Sequence, residues 1–379
     1  MLLRSSLGAI EGGLIGGGCG NSWFLVAVTQ KETPIILLRI ARLRLAPSRE
    51  SRRCCSPWPF FIALIVAEIT TAYSFAQNLP LFRIAVGTSG EKPSVLWIGA
   101  EQGFYRKHGV NVEVIFMRSG PLSISALASG DVQMVFAPSN TVLNAASGGL
   151  DVVVVGEIVS RPEGDFMARP EIKKAEDLKG KQIATQSIGG GGWANNMLAL
   201  DYLNLDPDRD QIRFMVFGDQ PSRVQALETG RAQASWMGST FSAPLKKKGY
   251  TVLVDMARAP ISYLGSYLVT WKLFVRQDPK LLEAVLKGTL DAMRFVLKPE
   301  NKPIVLQTMA RNLRLNRPED AETGYDAMLA VYSADLRPKP EGMRKIHSIL
   351  ARNNPKLQKL KPEEIVEDSL IRKIHDSGY

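Results

Sequence analysis

Four consecutive glycines form the segment of this chain with the clearest chemical use. Residues 189–192 are all glycine; they follow Ser187 at the end of a predicted strand and precede Trp193 in a predicted helix. Glycine lets the backbone approach a ligand closely, and the free N–H groups of a helix N-terminus favour an anion. No Gly-Lys-Ser/Thr follows, so the segment is not a P-loop, and it lacks the spacing of a dinucleotide fingerprint. We therefore predict a ligand contact here, with the Trp193 ring lying over the ligand; a flexible turn is the alternative.

The other candidate ligand-binding residues also lie at or directly after the ends of predicted strands. Ligands of open parallel sheets bind outside the carboxyl ends of the strands, and helix N-termini at that edge suit sulfonate, phosphate, nitrate or carboxylate. The alternatives are a solvated surface position for Arg118, a helix cap for Ser139 and Ser239, and core packing for Trp236. The predicted ligand-binding residues are Ser89, Gly90, Arg118, Ser119, Gly120, Ser139, Asn140, Ser187, Gly190, Gly191, Trp193, Gln220, Trp236 and Ser239.

The positions of cysteine and histidine argue against catalysis and metal binding. Cys19, Cys54 and Cys55 are the only cysteines, so a cysteine-based zinc site or a cysteine nucleophile is excluded beyond residue 55. The histidines stand at positions 108, 347 and 375, with no pair on a predicted cleft loop, and no H-E-x-x-H or G-x-S-x-G motif occurs on those loops. We predict no catalytic residue, no metal and no cofactor.

The elements that must position the candidate residues occur twice. Residues 112–155 and 212–255 repeat one pattern at an offset of 100, so that Gln133, for example, matches Gln233. Solenoid repeats are about 20–50 residues long, whereas this unit is about the size of a small domain. The repeat therefore predicts two similarly built lobes with a cleft between them.

Short strands alternate with helices through both copies, and prolines and glycines mark the helix ends. This alternation predicts an α/β fold in which each lobe is a mostly parallel sheet with flanking helices. Beyond Asp278 the chain is predicted to be helical, with helices to about 297 and near 302–313, 318–335, 339–351 and 362–374. The predicted units are lobe I at 82–162, lobe II at 163–268, and a return crossover with C-terminal helices packing on lobe I at 269–379.

The N-terminal region is predicted to be a leader. Arg52 and Arg53 precede a short apolar run at 60–67, and Ser74-Phe75-Ala76 supplies the small residues of a cleavage site. We predict a signal peptide at 49–76 and a non-functional upstream extension at 1–48; a membrane anchor, the alternative, would need about 20 apolar residues.

Net charge argues against nucleic acid as a partner. The chain carries a formal charge of +10, and residues 1–76 hold eight Lys/Arg and four Asp/Glu, which leaves about +6 on the remainder. A dispersed excess of this size suits a small anionic ligand better than a nucleic-acid groove.

Several segments carry a family resemblance. Four segments are similar to sequence motifs of ABC-transporter solute-binding proteins. They are FRIAVGTSGEKPSVLWIGAEQGFYRKHGVNVEV at 82–114, ALASGDVQMVFAPSN at 126–140, AEDLKGKQIA at 175–184 and ALETGRAQASWMG at 226–238. The branch they resemble is the nitrate/sulfonate/taurine type with an SsuA/THI5-like (NMT1) domain. Gln133 and Gln233 depart from the family, in which many relatives carry Asp or a similar residue.

The resemblance implies a type II periplasmic-binding-protein-like clamshell. It implies a monomeric periplasmic protein that closes on a sulfonate, nitrate, carboxylate or pyrimidine-type ligand and delivers it to an ABC permease in the inner membrane. The alternatives are an enzyme of the thiamin-pyrimidine-synthase type on the same fold, or a periplasmic ligand sensor. An enzyme of this type would carry a Cys-rich motif, and this chain has no cysteine beyond residue 55.

Overall fold

The computed structural model describes residues 12–14, 24–26, 79–88, 90–261, 265–352 and 354–379. It divides into two compact units, Met1–Ala72 and Tyr73–Tyr379. In the first unit the described residues form an antiparallel pair of strands, β1 (Gly12–Leu14) and β2 (Phe24–Val26). The predicted signal peptide, most of the predicted upstream extension and Ser89 lie outside the described residues.

Two five-stranded sheets organise the second unit, one in each lobe. The lobe I sheet has the order β4-β3-β5-β12-β6 and the lobe II sheet the order β11-β7-β10-β8-β9. The strands are β3 Leu81–Val86, β4 Asn111–Phe116, β5 Met134–Pro138, β6 Val152–Val159, β7 Asp165–Ala168, β8 Gln182–Thr185, β9 Arg213–Val216, β10 Ala234–Met237, β11 Thr251–Asp255 and β12 Ser266–Trp271.

The predicted α/β architecture is confirmed, with one antiparallel strand in each sheet. β4, β3 and β5 are parallel, as are β9, β8 and β10, whereas β12 and β7 run antiparallel to both of their neighbours. These two strands are the ones by which the chain enters lobe II and returns to lobe I. Because β12 begins at Ser266, the chain is back in the lobe I sheet slightly before the predicted boundary at 268.

The internal repeat is visible in matching hydrogen bonds. The Gln133 side chain accepts from the backbone N–H of Arg83 at 2.8 Å, and Gln233 accepts from the N–H of Gln182 at 3.0 Å. Each glutamine thus pairs with the backbone near the start of the neighbouring strand in its own lobe. The two residues that depart from the family pattern perform the same structural task.

Helices cover both sheets and their ends carry local signals. Ser119 caps α3 through its hydroxyl, with Pro121 in the first turn and Gly130 in the left-handed conformation after the last residue. The helices up to the return strand are α1 Ser94–Glu101, α2 Phe104–Lys107, α3 Gly120–Ser129, α4 Ser139–Ser147, α5 Gly191–Tyr202, α6 Gln220–Glu228 and α7 Ser239–Lys247. Gly103 adopts φ 74° between α1 and α2 and separates them into two helices.

The C-terminal part is helical as predicted, with shorter helices. The predicted helix at 318–335 is a 3-10 turn, Pro318–Ala321, followed by α11, and that at 362–374 is a 3-10 turn, Pro362–Ile365, followed by α14. The helices are α8 Lys272–Gln277, α9 Pro279–Val296, α10 Lys302–Leu313, α11 Glu322–Val331, α12 Glu341–Ala351, α13 Pro355–Lys359 and α14 Ser369–Asp376.

These C-terminal helices contact both lobes. α9 and α10 pack on α1, and α12 packs on α4, all in lobe I. α11 packs on α7 of lobe II. Lys345 of α12 and Arg352, which directly follows α12, pair with Asp201 of α5 at 2.7 Å and 3.4 Å. The C-terminal helices thus contact lobe II in addition to lobe I, on which they were predicted to pack.

Glu157 on β6 gives the fold a pH dependence that we predict to be measurable. It is fully buried, and burial raises its pKa to about 8, against the opposing charge of Lys339. A carboxyl whose pKa is raised on folding binds its proton more tightly in the native state, so its contribution to stability falls as pH rises from about 4.5 to about 8. We expect Glu157→Gln to flatten this fall by roughly 1–3 kcal/mol, because each tenfold difference in proton affinity corresponds to about 1.4 kcal/mol.

Urea unfolding of wild type and variant at about pH 4.5 and about pH 8.5, near the two ends of this window, measures the difference. Other buried carboxyls, among them Glu91 and Glu163, have raised pKa values too. The contribution of Glu157 is therefore the difference between wild type and variant in how the free energy of unfolding changes with pH. Asp291, with a pKa lowered to about 2, titrates below the window. Glu113→Gln, which alters an exposed carboxylate, is the matched control, and equal slopes for wild type and Glu157→Gln would contradict the prediction.

Candidate functional site

The carboxyl ends of the parallel strands in the two lobes face each other and are joined by direct hydrogen bonds. The Gln186 side-chain amide of lobe II donates to the carbonyl oxygens of Gly87 and Arg118 in lobe I, at 3.1 Å and 2.9 Å. The Asn140 amide of lobe I donates to the carbonyl oxygen of Gly189 at 2.5 Å. The structure is therefore a closed clamshell in this region.

The glycine loop forms the lobe II wall of the closed cleft. Gly189 has φ 74°, a left-handed conformation that favours glycine, and Gly190 precedes α5 with no side-chain cap. A Cβ atom added at Gly191 would lie 3.1 Å from Pro138 Cγ of lobe I. The backbone at the start of α5 thus lies close to the opposite lobe.

Buried polar atoms without hydrogen-bond partners surround this loop. Within the described residues these atoms lie in the first turn of α4, near the start of α5, at the end of β8 and two residues after it; they are Asn140 Oδ1, Thr141 Oγ1, Thr185 Oγ1, Ser187 Oγ and Asn195 Oδ1. A buried polar atom without a partner costs about 1–3 kcal/mol, so such atoms are rare unless a ligand or water completes them. Their concentration beside the glycine loop marks a place for a polar ligand group.

An apolar cavity adjoins these polar atoms. It has a volume of about 280 Å³ and includes Thr141 and Gly189 in its wall. Its remaining lining comes from α3, α4 and the loop after β8, and is mostly apolar: Pro121, Ile124, Asn144, Ala145 and Ile188. A ligand whose polar group met the glycine loop would find room here for a small hydrocarbon part.

A buried ion pair lies where the crossing segment meets both lobes. Lys92 Nζ of lobe I lies 3.1 Å from Glu163 Oε1 and 4.8 Å from the centre of the Trp236 ring. The Trp236 indole N–H donates to the Glu163 carbonyl oxygen at 2.9 Å. Burial raises the pKa of Glu163 to about 7, and the charge of Lys92 opposes that rise.

Arg223 is the largest fully buried side chain that sequence analysis missed. It lies on α6, 1% exposed, and its guanidinium donates to the Trp236 carbonyl oxygen at 2.7 Å and to the Ser235 hydroxyl at 3.3 Å. Burial lowers its pKa to about 10, so it remains a cation at neutral pH. It fixes the end of β10 that carries Trp236 to the cleft.

The structure brings several sequence-predicted residues to the cleft. Gly190, Gly191, Ser187 and Asn140 meet at the glycine loop. Gln220 is fully buried and accepts from the backbone N–H of Gly238 at 2.6 Å, next to Gly90. Gly120 lies against Thr141, and Ser239 begins α7.

Other sequence-predicted residues have different tasks. Arg118 is an exposed residue, and its carbonyl oxygen accepts from the Gln186 side chain across the cleft. Ser119 caps α3, and the Ser139 hydroxyl donates to the carbonyl oxygens of Gly265 and Gly342. The Trp193 ring packs edge-on against Phe214, with centroids 6.1 Å apart, and Trp236 is 3% exposed in the core.

The residues that sequence analysis missed adjoin predicted positions. Glu91 and Lys92 directly follow Gly90, Gln186 precedes Ser187, and Thr240 follows Ser239. Including one or two more residues on each side of the predicted positions would have identified them. Glu163 and Arg223 do not adjoin a predicted position, so no sequence signal indicated them. Among the described residues no cluster of His, Cys, Asp or Glu is arranged to hold a metal ion, and no helix is long and apolar enough to cross a membrane.

Two α/β lobes with the same strand order, joined by two crossing strands and closed over a polar cleft, define the periplasmic-binding-protein fold. The chain belongs to the NMT1/THI5-like family, whose sequence model matches residues 94–302. This confirms the resemblance found in the sequence.

Individual relatives agree with this assignment. The chain is 26% identical over 223 residues to the taurine-binding periplasmic protein of Escherichia coli (strain K12), covering 57% of this chain and 67% of that protein. Its fold is similar to that of the alkanesulfonate-binding protein SsuA from Xanthomonas axonopodis pv. citri, with 17% identity, a TM-score of 0.63, and coverage of 76% and 98%. It is also similar to the nitrate-binding protein NrtA from Synechocystis PCC 6803, with 14% identity, a TM-score of 0.66, and coverage of 79% and 89%.

Proposed function

We propose that this protein is the periplasmic solute-binding component of an ABC importer and that it captures a small organic anion without carrying out chemistry. The observation that carries the proposal is the uncapped start of α5 at Gly190, which faces lobe I. Among the described residues, the buried hydroxyls of Thr141, Thr185 and Ser187 near this helix start have no hydrogen-bond partner and can donate to an anion. The names of the relatives support the class, since they bind taurine, alkanesulfonate and nitrate.

Ligand capture by closure follows from the contacts across the cleft. A ligand that touches both lobes stabilises the closed state by its differential affinity for closed over open. An anion at Gly190 and Gly191 would accept hydrogen bonds from backbone N–H groups of lobe II. It would also accept one from the second Nδ2 hydrogen of Asn140 in lobe I, whose other hydrogen goes to the Gly189 carbonyl oxygen. It would thus join the lobes at the point where Asn140 already meets Gly189.

The adjoining cavity favours an organic anion over an inorganic one. Its apolar wall would bury the hydrocarbon part of an alkanesulfonate or a short carboxylate, at about 25 cal/mol per Å² of apolar surface. Nitrate has no such part, so we rank it below organic sulfonates and carboxylates. Delivery to a membrane permease belongs to the same proposal and rests on the relatives.

Thermal unfolding of the protein with matched ligands tests the proposal. Ethanesulfonate, butyrate and nitrate are compared with an uncharged alcohol of similar size. A true ligand at 100 times its Kd should stabilise the protein by about 2.7 kcal/mol, which raises Tm by several degrees. If none of the anions raises Tm above the alcohol, the proposed ligand class is wrong.

Asn140 provides the residue-level prediction. We expect Asn140→Ala to weaken binding of the best anion by roughly 10- to 100-fold, because a hydrogen bond to a charged group contributes about 1.5–3 kcal/mol. Calorimetric titration measures the change. Asn301→Ala is the matched control: that amide donates to the Phe295 carbonyl oxygen at 2.9 Å beside α10. Equal affinities for both variants would remove Asn140 from the site.

A further inference from the structure

A loop of lobe I reaches the N-terminus of a lobe II helix at a second point in the cleft. Glu91, next to Gly90, is 1% exposed, and its Oε1 atom accepts from the backbone N–H of Thr240 at 3.1 Å. Thr240 is the second residue of α7, a nine-residue helix. A carboxyl group from one lobe therefore sits at the positive end of a helix in the other. Burial raises the pKa of Glu91, and the Thr240 N–H and the Lys92 charge oppose that rise.

The N-terminus of α7 is shaped around this carboxylate. Gly238 stands at the N-cap, where no side chain of α7 itself provides a cap. A Cβ atom added at Gly238 would lie 2.9 Å from Glu91 Oε2 and 3.1 Å from Oε1. Any residue other than glycine would thus push the carboxylate away from the helix end, and Glu91 takes the place of a missing cap.

Hydrogen bonding at this point is incomplete. Within the described residues Glu91 Oε2 and Thr240 Oγ1 are buried and have no hydrogen-bond partner, although Thr240 is only 4% exposed. Lys92 supplies a nearby positive charge but its Nζ pairs with Glu163. The unpartnered Glu91 oxygen and the unpartnered Thr240 hydroxyl leave capacity for a further hydrogen bond at this helix N-terminus.

We propose that the N-terminus of α7 is an anion-binding subsite for a carboxylate or sulfonate, and that Glu91 occupies it as a built-in substitute. Glu91 then closes the lobes without an external ligand at this point. It is also a specificity-determining residue, because an anion entering the cleft must either displace it or bind at the glycine loop of α5. The inference rests on the proposed closure around an anion, but its test needs no transported ligand.

Acetate is the probe, because it matches the carboxylate that Glu91→Ala removes. Binding of sodium acetate is measured by calorimetry and thermal unfolding at constant ionic strength, with acetamide as the uncharged analogue. Acetate should bind Glu91→Ala at least about tenfold more tightly than wild type, the factor that one charged hydrogen bond provides. Acetamide should not distinguish the two proteins. Glu113→Ala, which removes an exposed lobe I carboxylate, is the matched control and should respond to acetate as wild type does.

A double-mutant cycle with Gly238 keeps the inference testable if Glu91→Ala folds poorly. Gly238→Ala should displace the carboxylate and increase the radius of gyration of the ligand-free protein in X-ray scattering. In the Glu91→Ala background, Gly238→Ala should cause no further increase in the radius of gyration, because the clash between the added Cβ atom and the Glu91 carboxyl group is absent. Gln220 is present with and without Glu91, so any difference in the effect of Gly238→Ala between the two proteins is due to Glu91.

The outcomes separate the two proposals. Equal acetate affinity in wild type and Glu91→Ala, or an unchanged radius of gyration in Gly238→Ala, would overturn the subsite. Acetate rescue of Glu91→Ala together with a failed anion screen would support the subsite and reject the transport ligand class. A successful anion screen without acetate rescue of Glu91→Ala would support the transport ligand class and reject the subsite.

Discussion

Gly164→Ala should destabilise the folded protein by roughly 2–5 kcal/mol, the sum of left-handed backbone strain and overpacking. Gly164 has φ 77° and lies between β6 and β7, where the chain crosses from lobe I to lobe II. An added Cβ atom would overlap the carbonyl oxygen of Met237 and lie 3.1 Å from the Gly238 Cα atom. Both are backbone atoms, so no side-chain movement relieves the clash.

Urea unfolding of Gly164→Ala measures the loss, and Gly180→Ala is the matched control. Gly180 has φ 72° but nothing within 4 Å of an added Cβ atom, so its substitution reports backbone strain alone, about 1 kcal/mol. The difference between the two variants is the cost of the contact at the crossing. A Gly164→Ala variant that loses no more stability than Gly180→Ala would show that the crossing segment yields freely.

Gly191→Val should abolish ligand binding, with a loss of about 100-fold or more, while changing stability much less. Its Cβ atom meets Pro138 Cγ of lobe I at 3.1 Å, and valine adds two methyl groups to that Cβ atom. Valine would hold the lobes apart, so the ligand could not touch both of them. Gly191 itself is helical, and the positive φ belongs to Gly189; the expected effect is therefore crowding and not backbone strain.

Calorimetry with the best anion of the screen, alongside urea unfolding, checks this expectation. Gly191→Ala is the graded control, because it adds only the Cβ atom and should weaken binding to a smaller extent. Scattering of ligand-free Gly191→Val should also show a larger radius of gyration than wild type. Wild-type affinity in the valine variant would move the ligand site away from the glycine loop.

The sequence alone determined the features that depend on local pattern. Helix ends at Ser119 and Gly130, the alternation of strands and helices, and the repetition of one lobe within the other are all short-range signals. The equivalence of Gln133 and Gln233 also followed from the repeat, because equivalent positions in two similar lobes contact equivalent parts of the backbone. The glycine loop was identified for the same reason: a strand, four glycines and a helix can be recognised without knowing what lies opposite.

Tertiary structure decided everything that depends on which residues face each other across the cleft. Arg118 and Gln186 both follow strands, yet Arg118 is exposed and meets lobe II through its carbonyl oxygen, whereas the Gln186 side-chain amide spans the cleft. The local sequence does not encode this difference. The C-terminal helices reach α5 and α7 because the lobes close, which no helical periodicity encodes. Glu91 meets Thr240 across 149 residues of sequence; such a contact depends on the angle between two independently folded sheets, and local preferences carry no information about that angle.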